Sequence, residues 1–237
     1  MSGRCWHSTV LAWTRVTGPS GFDRVALLTA ILAEMNPQAE RIVGIGGLPR
    51  SGKDTVAELF IEAGYYGVSF GDIVRSFCFV RHKDKPDPIS IANMTETSNW
   101  LRETYGPDVV LKEALRQFKE KQAAGGTYKG VVLWSLRAPI EVDFVLARHG
   151  ALIWVEASDD VRHQRALRHL RDGEAPTTLQ EFKNQEALQW QPQPGVPKEV
   201  QMDISYVKSH ATRILQNHEG DLEEFVAKVQ TLIAELS

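Results

Sequence analysis

The stretch from Arg41 to Leu59, RIVGIGGLPRSGKDTVAEL, constrains this chain most, because it encodes a strand, a phosphate loop and a helix in one run. Ile42, Val43 and Ile45 are apolar and β-branched, as a strand buried within a parallel sheet requires. They lead directly into Gly47, Gly52 and Lys53 at the spacing GxxxxGK. Glycines at these places let successive backbone N–H groups turn onto an anion, the following helix presents its positive end, and Lys53 reaches the β- and γ-phosphates. Val56, Leu59 and Phe60 give that helix an apolar face, the context that separates a phosphate loop from a chance glycine-rich turn. The implied chemistry is binding of nucleotide phosphates, with ATP as donor and Gly47, Ser51, Gly52 and Lys53 as the cradle.

Asp54 follows Lys53, where most such loops carry the Ser or Thr that ligates magnesium, and the hydroxyl comes one place later at Thr55. Thr55 is therefore the expected protein ligand of Mg2+, directly or through water, with Asp54 in an outer shell. Composition sets the frame around this loop. A chain of 237 residues with 43% apolar content is the size of one α/β domain. The net charge of -3 offers no global field for nucleic acid or an anionic membrane, so anion binding is local. Cys5 and Cys78 give neither a disulfide framework nor a metal-ligand spacing, which suits a reducing, cytoplasmic setting. No apolar run approaches the roughly 20 residues of a membrane span.

Residues 1–40 read as an extension outside the core, without a clear period in the opening part. Phe22 to Met35 has the composition of a helix that packs on the domain, and Met35 is also a candidate start. Arg4 and Arg15, with no acidic residue before Asp23, give only the faintest transit-peptide pattern.

After the loop helix, Gly64 to Phe70 reads as a second strand, followed by Gly71, Asp72, Ile73, Val74 and Arg75. GKDT followed by SFGDIVR resembles the nucleoside monophosphate kinase and dephospho-CoA kinase-like superfamily, whose members carry GKxT and then a strand ending in GDxxR. That resemblance makes Arg75 the ligand of the acceptor's phosphate, and a guanidinium in the first turns of a helix suits bidentate phosphate recognition on independent grounds. A surface salt bridge is the plainer alternative for Arg75. Asp72 is a candidate base for a hydroxyl acceptor or, with a phosphate acceptor, a cap for the helix carrying Arg75.

Residues 81–93 read as a charged, proline-bearing loop, either crossing the acceptor site or simply solvated. Thr95 is expected to cap a helix through Tyr105, which Gly106 stops, and a further helix runs from Pro107 to about Gln122. The phrase LRETYGPDVV is similar to segments of viral deoxynucleotide monophosphate kinases and of an archaeal group resembling dephospho-CoA kinases, with packing as its simplest role. Gly130 to Leu136 is a third strand, and Arg137 follows at its carboxyl end, where ligands bind in open parallel sheets. The family carries Asp-Gly-x-Arg here, so Arg137 corresponds to its second acceptor-phosphate arginine. Trp134 stands where relatives have an aspartate that orders magnesium through water, and Ser135 stands for the glycine. Trp134 either stacks on a base or closes the pocket or core.

Ile140 to Arg148 is a helix and Ala151 to Val155 a fourth strand. Arg162, Arg165, Arg168 and Arg171 follow at three-residue steps after Asp159 and Asp160, which favour a helix start. Arg162 is expected on a solvated face. By resemblance this helix leads into a lid, at about residues 168–178, so Arg168 and Arg171 are the candidates to close on the transferring phosphoryl group. Thr178 opens another helix with a capping pattern, the segment 191–197 breaks it off, Thr212 to Leu215 is a fifth strand, and Asp221 caps an amphipathic helix to Leu236. Asn217 matches the family's asparagine before the loop beside the adenine.

Together these features imply a three-layer α/β/α fold over residues 41–237, a five-stranded parallel sheet with a small lid. The expected function is ATP-dependent phosphoryl transfer to a small anionic acceptor of the nucleoside monophosphate type. Transfer to a hydroxyl, or slow hydrolysis by a nucleotide-binding regulatory ATPase, are the alternatives that Trp134 and Asp72 leave open.

Overall fold

β1 (Arg41–Gly47) can run through the middle of the sheet because one of its faces has almost no side chains. A Cβ on Gly44 would lie 3.0 Å from Val145, and one on Gly46 would lie 2.6 Å from Val207. Helices on that face therefore approach the backbone closely, while Val43 and Ile45 fill the opposite face. A computed structural model of the chain describes residues 41–170, 176–190, 200–218 and 222–236. The extension 1–40, residues 171–175 of the expected lid, the segment 191–197 and Asp221 lie outside the described residues.

From β1 the chain continues through α1 (Lys53–Glu62), β2 (Tyr66–Ser69), α2 (Phe70–Arg81), α3 (Ile91–Tyr105), α4 (Val109–Ala123) and β3 (Gly130–Trp134). It then forms α5 (Pro139–Ala147), β4 (Ala151–Glu156), α6 (Asp159–Arg168), α7 (Leu179–Trp190), α8 (Ile204–Ser209), β5 (Arg213–Gln216) and α9 (Leu222–Leu236). All strand pairs are parallel, in the order β2-β3-β1-β4-β5, with Ile45 opposite Trp134 and Gly47 opposite Val155. The chain leaves β1 towards β2 on one side and leaves β4 towards β5 on the other. Their carboxyl ends therefore flank the crevice where open parallel sheets bind ligands.

Alternation along the strands divides the core in two. Ile42, Leu133, Leu152 and Trp154 pack with α2 to α5 and α8, whereas Ile45, Val132, Ile153 and Val155 pack with α1 and α9. Phe225, Val229, Leu232 and Ile233 form the buried stripe of α9. This is the expected three-layer arrangement with its five parallel strands. Among the described residues no helix is long and apolar enough to cross a membrane.

Two expectations change. The helix through Tyr105 starts at Ile91 with Ser90 as its cap, and Thr95 is buried within it. Ser90 Oγ accepts from the Asn93 N–H at 3.3 Å, and the Asn93 side chain donates to Asp87 O at 2.8 Å, so the preceding loop supplies the stop that Thr95 was expected to supply. Arg162 is 0% exposed rather than solvated. Its guanidinium donates to both carboxylate oxygens of Glu186 on α7 and, at 2.7 Å, to Asp159. A buried ion pair thus ties α6 to α7, which a charge run in sequence cannot distinguish from a wet helix face.

At the end of β3 the backbone turns through Ser135 with φ 65°, a left-handed conformation that disfavours any residue with a Cβ. The glycine of the family pattern belongs at this position for that reason. Ser135→Gly should raise stability by about 1 kcal/mol, read by thermal unfolding, and a lower midpoint would contradict strain at this turn. Arg162→Met should cost about 3–5 kcal/mol by leaving Glu186 buried without its counter-charge, while adding Glu186→Leu should recover most of that loss. Denaturant unfolding decides it: a single variant as stable as the parent would remove the ion pair from the account.

Candidate functional site

The phosphate loop is shaped by lack of room. A Cβ on Gly47, at φ 156°, would meet Ser51 Oγ at 2.6 Å and Val155 O at 2.9 Å, and one on Gly52, at φ 98°, would meet the Asn217 amide at 2.3 Å. Gly52 is the left-handed N-cap of α1, so the helix opens without a side-chain cap and its first N–H groups face the loop. Lys53 is only 4% exposed, and Ser51 Oγ is buried without a hydrogen-bond partner. The orphaned Ser51 hydroxyl, set beside an uncapped helix start and a buried ammonium, is a group that an anion would satisfy.

The outer side of the loop is held by β5 and α6. Asn217, just past β5, donates from its side chain to Ser51 O at 2.8 Å, and its own N–H donates to Glu156 O at 2.7 Å. Arg165 donates to Arg50 O at 3.3 Å, to Ser51 O at 3.4 Å and to Asn217 Oδ1 at 3.0 Å, and Arg162 donates to Pro49 O at 3.3 Å. Burial pushes the Arg165 pKa down, yet a guanidinium remains charged at neutral pH. Of the four periodic arginines, Arg162 and Arg165 touch the loop. Arg168 is exposed at the end of α6, and Arg171 lies outside the described residues.

β3 lies between β1 and β2, and its last residues separate two sets of groups. Trp134 Nε1–H donates to Asp54 Oδ1 at 3.0 Å, on the side of the phosphate loop, and Asp54 Oδ2 lies 3.5 Å from Lys53 Nζ. The indole lies against Gly67, whose Cβ would come within 3.2 Å of the ring, and it joins the core packing on the α1 side. Trp134 is thus an aromatic that closes this edge of the core. On the other side, a Cβ on Gly71 would stand 3.6 Å from Ser135 Oγ, which brings the GDxxR turn against the β3 turn.

Asp72 is not the cap of α2. Ser69 Oγ accepts from the Asp72 N–H at 3.1 Å, and the Asp72 carboxylate pairs with Arg75 one turn on. Arg137 leaves β3 on a turn fixed by Glu141, which accepts from the Arg137 N–H at 2.6 Å and from the Ala138 N–H at 2.9 Å. Glu141 is 1% exposed and is neutralised by Arg102, 2% exposed, at 2.8 Å. Arg102 belongs to LRETYGPDVV, so that phrase does more than pack: it supports the turn that carries Arg137. Sequence reasoning passed over Arg165, Arg102 and Glu141. The sequence signal for Arg165 was the three-residue arginine period itself, and for Glu141 it was a single acidic residue in an otherwise apolar helix start.

No family model matches the chain. Curated relatives include UPF0200 proteins of archaea. That of Staphylothermus marinus is 26% identical over 184 residues, 77% of this chain and 86% of the relative. That of Thermococcus gammatolerans is 28% identical over 205 residues, 82% of this chain and 95% of the relative. Among solved structures, TT1252 from Thermus thermophilus matches with a TM-score of 0.50 at 20% identity, covering 84% of this chain and 100% of that one. Shikimate kinase from Bacteroides thetaiotaomicron matches with a TM-score of 0.50 at 13% identity, covering 83% and 98%. Strand order, phosphate loop and these likenesses agree: the chain carries the fold of the P-loop kinase-like superfamily.

Proposed function

We propose that the chain is a phosphotransferase that moves the γ-phosphoryl group of ATP to a small anionic acceptor of the nucleoside monophosphate type. The observation that carries this is the junction at Trp134 and Ser135, one residue bonded to the phosphate loop and the next set against the GDxxR turn. Two anion-binding elements on adjacent parts of one sheet edge suit in-line transfer, which depends mainly on positioning and charge stabilisation.

In this proposal the N–H groups of the loop and the start of α1 bind the donor phosphates, with Gly47, Ser51 and Gly52 shaping the cradle. Lys53 neutralises the β- and γ-phosphates. Asp54 and Thr55 offer the hard oxygen donors that magnesium prefers, and one or two such ligands suffice beside substrate phosphates. Bound there, the ion would offset charge on the β- and γ-phosphate oxygens. Arg75 and Arg137 grip the acceptor's phosphate, and Glu141 with Arg102 keeps Arg137 aimed. Arg168 and Arg171 are proposed to approach from the lid, and Asn217 to border the adenine.

The pairing of Asp72 with Arg75 favours a phosphate acceptor over a hydroxyl, since this carboxylate already orients the gripping arginine. A hydroxyl acceptor, as in the dephospho-CoA type of transfer, would instead need Asp72 as a base.

Lys53→Ala should lower phosphoryl transfer by about 10²-fold or more while the circular dichroism spectrum stays that of the parent. Wild-type turnover in the folded variant would defeat the proposal. Asp72→Asn should keep kcat within about threefold and act on the acceptor's KM, because a phosphate acceptor needs no base. A loss of about a hundredfold in kcat with unchanged acceptor binding would point to a hydroxyl acceptor.

A further inference from the structure

Resting on the reading of Arg75 as the ligand of the acceptor's phosphate, we infer that Phe79 is the platform on which the acceptor stacks an aromatic base, so that the acceptor is a nucleotide and not a base-free phosphate. α2 carries three phenylalanines, and they differ in what they serve. Phe70 is 3% exposed and Phe77 packs against the core, whereas Phe79 is 59% exposed. Ile73, Val74 and Cys78 already supply the buried stripe of this helix, so the Phe79 ring adds nothing to its packing. A single exposed apolar residue is ordinary on a protein surface, and it is the position of this one that carries meaning.

Phe79 stands four residues after Arg75, which places it about 6 Å further along α2 and about 40° around the axis, on the same face. Side chains of a helix lean towards its N-terminus, so the ring covers the turn from which Arg75 projects. Asp72, paired with Arg75, lies on that face as well. The next flank of α2 is occupied: Arg81 donates to Glu96 of α3 at 3.2 Å, and its guanidinium lies 4.5 Å from the centre of the Trp100 ring. Val80, 54% exposed, extends the apolar patch beside Phe79. The open face of α2 therefore presents a guanidinium and then an aromatic ring one turn on, in the order in which a mononucleotide presents phosphate and then base. A phenyl ring has a π-face and no hydrogen-bonding group, so it stacks on any base and selects poorly among them. The other occupant such a patch could take is a second copy of this chain, which would bury Phe79 and Val80 without regard to Arg75.

Calorimetry on the full chain, with a non-hydrolysable ATP analogue filling the donor site, compares AMP, CMP, GMP and UMP with ribose 5-phosphate, which carries the phosphate and sugar without a base. The parent should bind the mononucleotides at least about tenfold more tightly than ribose 5-phosphate. Phe79→Ala should lose most of that preference, and so should Phe79→Leu, which keeps apolar bulk without a ring. Phe79→Tyr, which keeps the ring, should retain it. Thermal unfolding of the three variants should match the parent, because the replaced side chain is exposed. Equal binding of mononucleotides and ribose 5-phosphate by the parent, or a preference that survives in Phe79→Leu, would overturn the inference and leave the phosphotransferase proposal standing. So would a parent dimer, seen by light scattering, that dissociates in Phe79→Ala, since the ring would then serve a second copy of the chain. A parent that binds the ATP analogue but neither mononucleotides nor ribose 5-phosphate would overturn the inference together with the phosphate-acceptor reading.

Discussion

The site depends on how the outer carbonyls of the phosphate loop are held. A trans peptide points its C=O and the next N–H in opposite directions. Pro49 O and Ser51 O accept from Arg162, Arg165 and Asn217, so the N–H groups of Arg50 and Gly52 are turned away from those side chains. The shape of the loop is therefore held from outside, by side chains far away in sequence. Arg162 in turn is fixed by Glu186, which couples the loop's shape to α7.

A second constraint acts at β3. This strand sits between the loop's own strand and the strand leading to Arg75, so whatever ends it stands between the phosphate loop and the GDxxR turn. Trp134 and Ser135 each engage one neighbour, Asp54 for the indole and Gly71 for the serine. Arg137 follows directly, on a turn whose N–H groups are taken up by a buried, neutralised glutamate. Trp134, Ser135 and Arg137 thus depend on one short turn, and Ser135 bears its conformational strain.

Much of this was legible in the sequence. β-branched runs marked β1 and β3, the GxxxxGK spacing marked the loop, and the Thr178 and Glu181 capping pair marked the start of α7, where both reciprocal bonds form. What was not legible depends on partners distant in sequence. Arg162 looked solvated because its counter-charge lies on another helix, 24 residues on. Thr95 looked like a cap because the true cap, Ser90, sits in a loop of mixed charges and prolines. Gly44 and Gly46 make room for Val145 and Val207, partners that no local spacing announces. Trp134 closes the core as one of its two expected roles, but nothing in sequence spacing places its Nε1–H beside Asp54.

The central claim is that one chain binds two phosphates face to face, a donor at Lys53 and an acceptor at Arg75 and Arg137. A linked dinucleoside polyphosphate tests it most directly, because joining the two ligands makes the second contact intramolecular. Calorimetry should show one molecule bound per chain, at least about tenfold more tightly than an ATP analogue, with that gain lost in Arg75→Met. A linked ligand that binds no better than the ATP analogue, or whose affinity ignores Arg75, would contradict the account.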